Sequence, residues 1–248
     1  MLTTAALLTI GVVIFLASVL SGVFGMAGGM ILLGVILVYL DVVTGMILFG
    51  LIQTTAGGWR AAIWFGYVKW SIVWRYLIGA TITFIAFRWI AFVPDKAVVY
   101  IGLGLMPLVA DVLPARFSLD ITRRGVPYFA GLILQAIQLM AGATGVLLDV
   151  FFQRTGLDRK TIIASKAITQ VASHAYRVAY FASIGSLAGA ALPWWAYIGA
   201  MAMAIAGTSV AGVILHRMTD DGFRLWSRRL ILAVSVIYVL RGLWLLWA

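Results

Sequence analysis

Apolar residues run almost unbroken along most of this chain, and polar positions fall between the runs instead of alternating with them. Runs long enough to cross a bilayer recur at about Thr3 to Leu40, Thr44 to Phe65, Trp70 to Phe92, Ala97 to Leu113, Val126 to Phe152, Thr161 to Ile184, Pro193 to Leu215 and Leu230 to Trp247, against the roughly 20 residues that one spanning helix needs. The pattern predicts an all-α polytopic membrane protein of about 8 membrane segments, with no room for a soluble domain. The first run has no basic residues ahead of it and continues past any small-residue cleavage site, so it is expected to be retained and not removed as a signal peptide.

Glycines break this pattern twice. In "GVFGMAGGMILLG" the residues Gly25, Gly28 and Gly29 lie inside the first run, where each costs roughly 1 kcal/mol relative to alanine and lipid offers the loosened backbone no hydrogen bonds. The second break, "LMAGATGVLLDVFF" from Leu139, supplies Gly142, Thr144 and Gly145, with Thr144 as the candidate N-cap of a new helix. The two breaks are related by a gapless match at an offset of 117, which pairs Gly25 with Gly142, Gly28 with Gly145, Asp41 with Asp158, Thr44 with Thr161, Gln53 with Gln170 and Arg60 with Arg177. The chain therefore reads as membrane repeat 1 (1–112), a polar inter-repeat connection (113–125) and membrane repeat 2 (126–248).

Composition agrees: 64% of the 248 residues are hydrophobic and 10% charged, against roughly 45 to 50% apolar in soluble domains. The net charge of +10 does not point to nucleic acid, because the basic residues gather in short connections beside apolar runs, where membrane orientation and anionic headgroups account for them. Their distribution also differs between the halves. In the first, the connection at Asp41 has no Lys or Arg while the next holds Lys69 and Arg75; in the second, Arg154, Arg159 and Lys160 come after the glycine segment and "GSLAGAALP" has none. The swap predicts inverted repeats, each crossing the membrane an odd number of times, with a re-entrant or discontinuous helix at each glycine break restoring the parity. Half-helices at corresponding places in two halves would expose N–H groups and a positive dipole end to a substrate; close packing of helices through small residues is the alternative reason for such glycines.

These segments, "SGVFGMAGGMILLGVILVY" and "MAGATGVLLDVFF", together with the repeat layout and length, resemble the TauE/SafE family of sulfite and organosulfur anion exporters, also called the toluene sulfonate uptake permease family. The resemblance covers nearly the whole chain. It implies two membrane repeats, each opening with a glycine-rich segment, and export of a sulfur-containing anion. The first motif here reads GMAGG, and the second has lost its glycine run and gained Asp149.

Depth arithmetic singles out further residues. Gln53 and Gln170 lie about 18 Å along their helices from Asp41 and Asp158, near the middle of a core roughly 30 Å thick. Beside them stand Thr54, Thr55 and Ser173, whose donors can replace the water that an oxyanion loses. The substrate-binding candidates are thus Gly25, Gly28, Gly29, Gln53, Thr54, Gly142, Thr144, Gly145, Gln170 and Ser173. Arg60 and Arg177, about 28 Å along the same helices, are expected to snorkel to the far interface, with a gating role as the other reading. His174 is a candidate proton relay or an ordinary hydrogen-bonded histidine. Asp149 and Lys166, whose counterparts are Leu32 and Phe49, are expected to form a structural ion pair, since neither charge is comfortable alone in lipid, with a proton-linked gate as the other reading.

The reading is a secondary transporter of the cell inner (plasma) membrane that exports a small anion, sulfite or an organosulfonate, by alternating access. Protons are the candidate coupling ion. An anion channel or an uptake permease is the alternative. With no "GxxxxGK[ST]" loop and no cysteine, nothing in the chain suggests a nucleotide, metal or other cofactor. An intramembrane enzyme is disfavoured, because Ser173 and His174 are adjacent on a helix and point about 100° apart. A non-transporting membrane subunit would leave the Gln pair without a function.

Overall fold

The computed structural model describes residues 4–24, 26–112, 119–153, 155–184, 192–215 and 220–247, so Gly25 and residues 113–118 of the polar connection lie outside the described residues. Among the described residues there are ten α-helices and no strands: α1 (Thr4–Phe24), α2 (Met26–Tyr39), α3 (Val42–Ile63), α4 (Trp70–Ile90), α5 (Lys96–Val112), α6 (Val126–Ala141), α7 (Gly145–Phe152), α8 (Arg159–Ile184), α9 (Trp194–Leu215) and α10 (Asp220–Trp247). The first long run is thus two helices and not one, as the glycines predict.

Four of these helices are long and apolar enough to cross a membrane: α3, α4, α9 and the Arg229–Trp247 part of α10. Shorter apolar stretches in α1, α2, α5 and α6 span 10–17 residues. The chain is therefore a helical membrane protein by length and composition. The outward faces agree, since Trp74 and Trp89 on α4, Trp194 and Trp195 on α9, and Trp244 and Trp247 on α10 are all exposed, as aromatic side chains at a lipid interface would be. The 26-residue α8 is a different kind of helix. It carries Lys166, Gln170, His174 and Arg177 on one side, and its buried positions include Ser165, Thr169, Ser173, His174 and Arg177.

Local chemistry places the ends. Asp41 and Asp158 are N-terminal caps of α3 and α8: Asp41 accepts from the Thr44 backbone N–H and Asp158 from that of Thr161, each at 3.0 Å. Pro127 sits in the first turn of α6, where its missing N–H costs nothing, and α6 stops at Gly142, whose φ of 84° is left-handed.

The most extensive packing joins helices from opposite sides of the polar connection: α4 with α6, α1 with α9, α3 with α8, and α5 with α10. Small residues set the approach. Gly79 lies against the backbone of Tyr128 and Leu132, and Gly131 against that of Tyr76 and Ala80. Helices α3 and α8 run antiparallel, since Gly50 faces His174 and Val178 while Gly57 faces Val171. So do α5 and α10, with Gly104 against Ser235 and Val239, and Gly242 against Ala97 and Ile101.

Each glycine break makes a hairpin. The Ile121 N–H donates to the Phe151 carbonyl at 3.1 Å, so the chain entering α6 and the chain leaving α7 meet, and Gly142 to Thr144 forms the tip. On the other side, α2 packs back along α1, with Gly28 against the backbone of Ala17 and Ser21.

Candidate functional site

Between the two hairpins, where α3 crosses α8, lies a cavity of about 190 Å³, smaller than the 300–1,000 Å³ of pockets that hold drug-sized ligands. Ser21 from α1, Gly29 from α2, Gln53 and Arg60 from α3, and Tyr76 from α4 form one side. Gln138 from α6, Thr144, Gly145 and Asp149 at α7, and Lys166, Gln170, Ser173 and His174 from α8 form the other. Both central glutamines, Gln53 and Gln170, therefore reach one space.

Three sources of positive potential meet there. The first intrahelical bond of α7 runs from the Leu148 N–H to the Thr144 carbonyl at 3.0 Å, which leaves the N–H groups of Gly145, Val146 and Leu147 ahead of the helical ladder. Arg60 lines the cavity, its buried Nε makes no hydrogen bond, and it has no carboxylate partner among the described residues. Lys166 is the third. It forms an ion pair with Asp149, and both side chains stay partly accessible, at 25% and 39%. With one carboxylate against two cations, the cavity carries an excess of one positive charge.

Several expectations need correction. Thr144 occupies the N-cap position of α7 without capping it: its backbone, at φ −130° and ψ 5°, is not in the extended region usual for a cap, and its hydroxyl is turned to Gln138, donating to Oε1 at 2.9 Å. Arg177 does not snorkel. It is fully buried, stacks on Phe49 with 4.6 Å between its guanidinium carbon and the ring centroid, and donates to the Gly142 carbonyl and to His174 Nδ1. The left-handed end of α6 supplies the reason, for a cation is favourable at carbonyls left without helical partners. Arg60 does not snorkel either and turns into the cavity. Gly28 and Gly142 do not line it: Gly28 allows α2 to approach α1, the close-packing role, and Gly142 makes the tip turn. Thr54 has a buried hydroxyl without a partner but is not in the wall, and Thr55 donates to its own helix at the Leu51 carbonyl. Gly25 lies outside the described residues.

The sequence pattern also holds residues that depth arithmetic passes over. Gln138, Ser21 and Tyr76 all line the cavity, and Tyr76 shares a buried 2.9 Å hydrogen bond with Ser173. A signal for two of them exists: the offset of 117 pairs Ser21 with Gln138, and Ser18 with Gln135, as polar positions in apolar helices. Gln135 is fully buried with neither amide atom hydrogen-bonded.

Outside the membrane-spanning segments, the Asp158 carboxyl is held below the usual carboxylate range by the Thr161 hydroxyl and the Thr161 backbone N–H. No protein-family model matches the chain, and no curated protein or solved structure does.

Proposed function

We propose that the protein is a secondary transporter that moves a small anion, sulfite or an organosulfonate, out of the cell across the inner (plasma) membrane. The observation that carries the reading is the Arg60 guanidinium, which has no carboxylate partner among the described residues and shares a cavity with the uncapped first turn of α7. A buried cation without a counter-ion is costly, and an anion in the cavity would supply one. Gln53, Gln170 and His174 add neutral hydrogen-bonding groups around it. No bound nucleotide or metal has a role in this reading.

Alternating access is the mode we infer, with the two halves as inverted repeats of five helices. Exchanging α1–α5 with α6–α10 turns the α4–α6 pair into α9–α1 and leaves α3–α8 and α5–α10 as themselves, both antiparallel. Inverted halves would pack this way about an in-plane axis. The hairpins α1–α2 and α6–α7 would enter and leave the bilayer on one side, leaving three crossings in each half.

The two ends of the α3–α8 crossing differ as two gates in opposite states would. Toward residues 155–160 the cavity is bounded by Ile163, Lys166 and Asp149, all partly accessible. The positions related to them by 117 are Met46, Phe49 and Leu32, at 0 to 1% exposure, and Arg177 packs among them. By the positive-inside rule the accessible end faces the cytoplasm. The test is uptake of sulfite, sulfate, sulfoacetate and taurine into proteoliposomes. Saturable flux of one of the anions, lost in Arg60→Gln, is the expected result; flux that never saturates would make the protein a channel, and none would sink the reading.

A further inference from the structure

His174 stands between the cavity and Arg177, and its two ring nitrogens are in different situations. Nδ1 lies 3.0 Å from Gln138 Nε2, and the Arg177 guanidinium donates to the same ring atom. A guanidinium has no acceptor, so Nδ1 must hold a lone pair and the ring proton must sit on Nε2. The glutamine's orientation follows from this: a lone pair on Nδ1 calls for the amide Nε2–H, which leaves Gln138 Oε1 to accept the Thr144 hydroxyl proton at 2.9 Å. Nε2 has no hydrogen-bond partner among the described residues, on a ring that lines the cavity.

We propose that Arg177 and Gln138 lock His174 as the neutral Nε2–H tautomer, so that this histidine is a permanent hydrogen-bond donor to the cavity's occupant and not a proton carrier. The donor role rests on the anion-transport reading above; the lock does not. Arg177 is a positioning residue here: it acts through His174 and is walled off behind it, with Gly142 and Phe49 on its other sides. The charged groups acting on the ring are Arg177 on its own helix and Arg60 from α3. From α7 comes Asp149, held by Lys166; α4 offers the Tyr76 hydroxyl, held by Ser173; and α6 offers the uncharged Gln138. A second proton would have to enter at Nδ1, where Arg177 already donates. A proton passed through the site would therefore need another carrier.

His216→Gln leaves His174 as the one histidine of the two in the chain, and its ring nitrogens can then be read by 15N NMR of the full-length protein in lipid nanodiscs. The expected spectrum has an unprotonated Nδ1 and a protonated Nε2 between about pH 5.5 and 8.5, where a free imidazole would titrate. An imidazolium, or a proton on Nδ1, anywhere in that range overturns the lock whether or not any anion is transported. Arg177→Lys should keep the tautomer, and Arg177→Met, if it folds, should let the ring titrate. Adding sulfite as the probe should shift the Nε2–H resonance; no shift in protein that transports sulfite overturns the donor role. In flux, His174→Gln places an amide N–H near the Nε2 position and should leave apparent KM within about threefold of wild type, whereas His174→Leu and His174→Asn should raise it about tenfold, the loss of one hydrogen bond. An unchanged KM in either of the last two also overturns the donor role. If wild-type protein moves no anion and sulfite leaves the resonance unmoved, the transport reading and the donor role fall together, and the spectrum still decides the lock.

Discussion

Asp149 and Lys166 join α7 to α8 through an ion pair at the accessible end of the cavity. Their counterparts Leu32 and Phe49 are apolar and buried. Because the pair is partly accessible, breaking it with Asp149→Leu should cost about 1–2 kcal/mol, between the values for exposed and fully buried pairs. The double substitution Asp149→Leu with Lys166→Phe should recover part of that loss, as chemical unfolding in detergent would show. Purely additive losses would mean that the two side chains do not interact.

Gly28 and Gly29 should respond differently to alanine. A Cβ on Gly28 would run into the backbone of Ala17 and Ser21, whereas one on Gly29 would lie 2.9 Å from Gln53 Nε2, the end of a flexible side chain. Gly28→Ala should therefore destabilise by about 1–3 kcal/mol as overpacking does. Gly29→Ala should unfold close to wild type while apparent KM rises several-fold, as the amide is pushed from its place. Equal thermal stability of the two variants would count against this assignment.

The cap at Asp158 carries a pH signature. Its folded-state pKa is lowered, chiefly by the Thr161 hydroxyl, so its stabilising contribution is complete above the unfolded value near about 4 and is lost as pH falls through the lower folded value. Asp158→Asn should remove that part of the acid sensitivity and leave stability at neutral pH little changed, because asparagine also caps helices. Thermal melts at pH 3 and pH 7 give the comparison; the same acid-dependent loss in both proteins would contradict it.

The chain has no cysteine, which makes the accessibility of the two ends of the α3–α8 crossing directly measurable. Single cysteines at Ile163 and Met46, related by the offset of 117, should label unequally in the resting protein: Ile163→Cys from the side of residues 155–160, and Met46→Cys scarcely from either. On the alternating-access reading proposed above, saturating substrate should expose Met46→Cys to the opposite side. Simultaneous, undiminished labelling of both would indicate a continuous pore.

Much of this arrangement is legible in the sequence because polar residues in apolar helices are few and each needs a reason. Gln53, Gln170, Asp149, Lys166 and both breaks can be found that way. Direction is harder to read. Arg60 and Arg177 occupy matching positions, and a helical count gives their depth but not whether the side chain turns toward lipid headgroups or inward. That choice depends on what the facing helices leave unsatisfied, here the open carbonyl of Gly142 for one and the cavity for the other. Thr144 misleads for a similar reason, since its hydroxyl is turned to Gln138 on a different helix and not to its own first turn.

The hydroxyls of Tyr100 and Tyr238 reach across from α5 and α10 and donate to carbonyls in the middle of α2, at Gly34 and Met30, each at 2.7 Å. Helix α2 cannot rotate or slide without surrendering both, and Gly34 leaves no clearance against Tyr238 for a new register. The eight-residue α7 is held toward its C-terminal end, by the Asp149–Lys166 ion pair and the Ile121 N–H on the Phe151 carbonyl, while its first turn has no such tether among the described residues. In mechanical terms α2 is the anvil and the first turn of α7 the moving part, so amide hydrogens of α2 should exchange among the slowest in the protein and those of that turn well ahead of them.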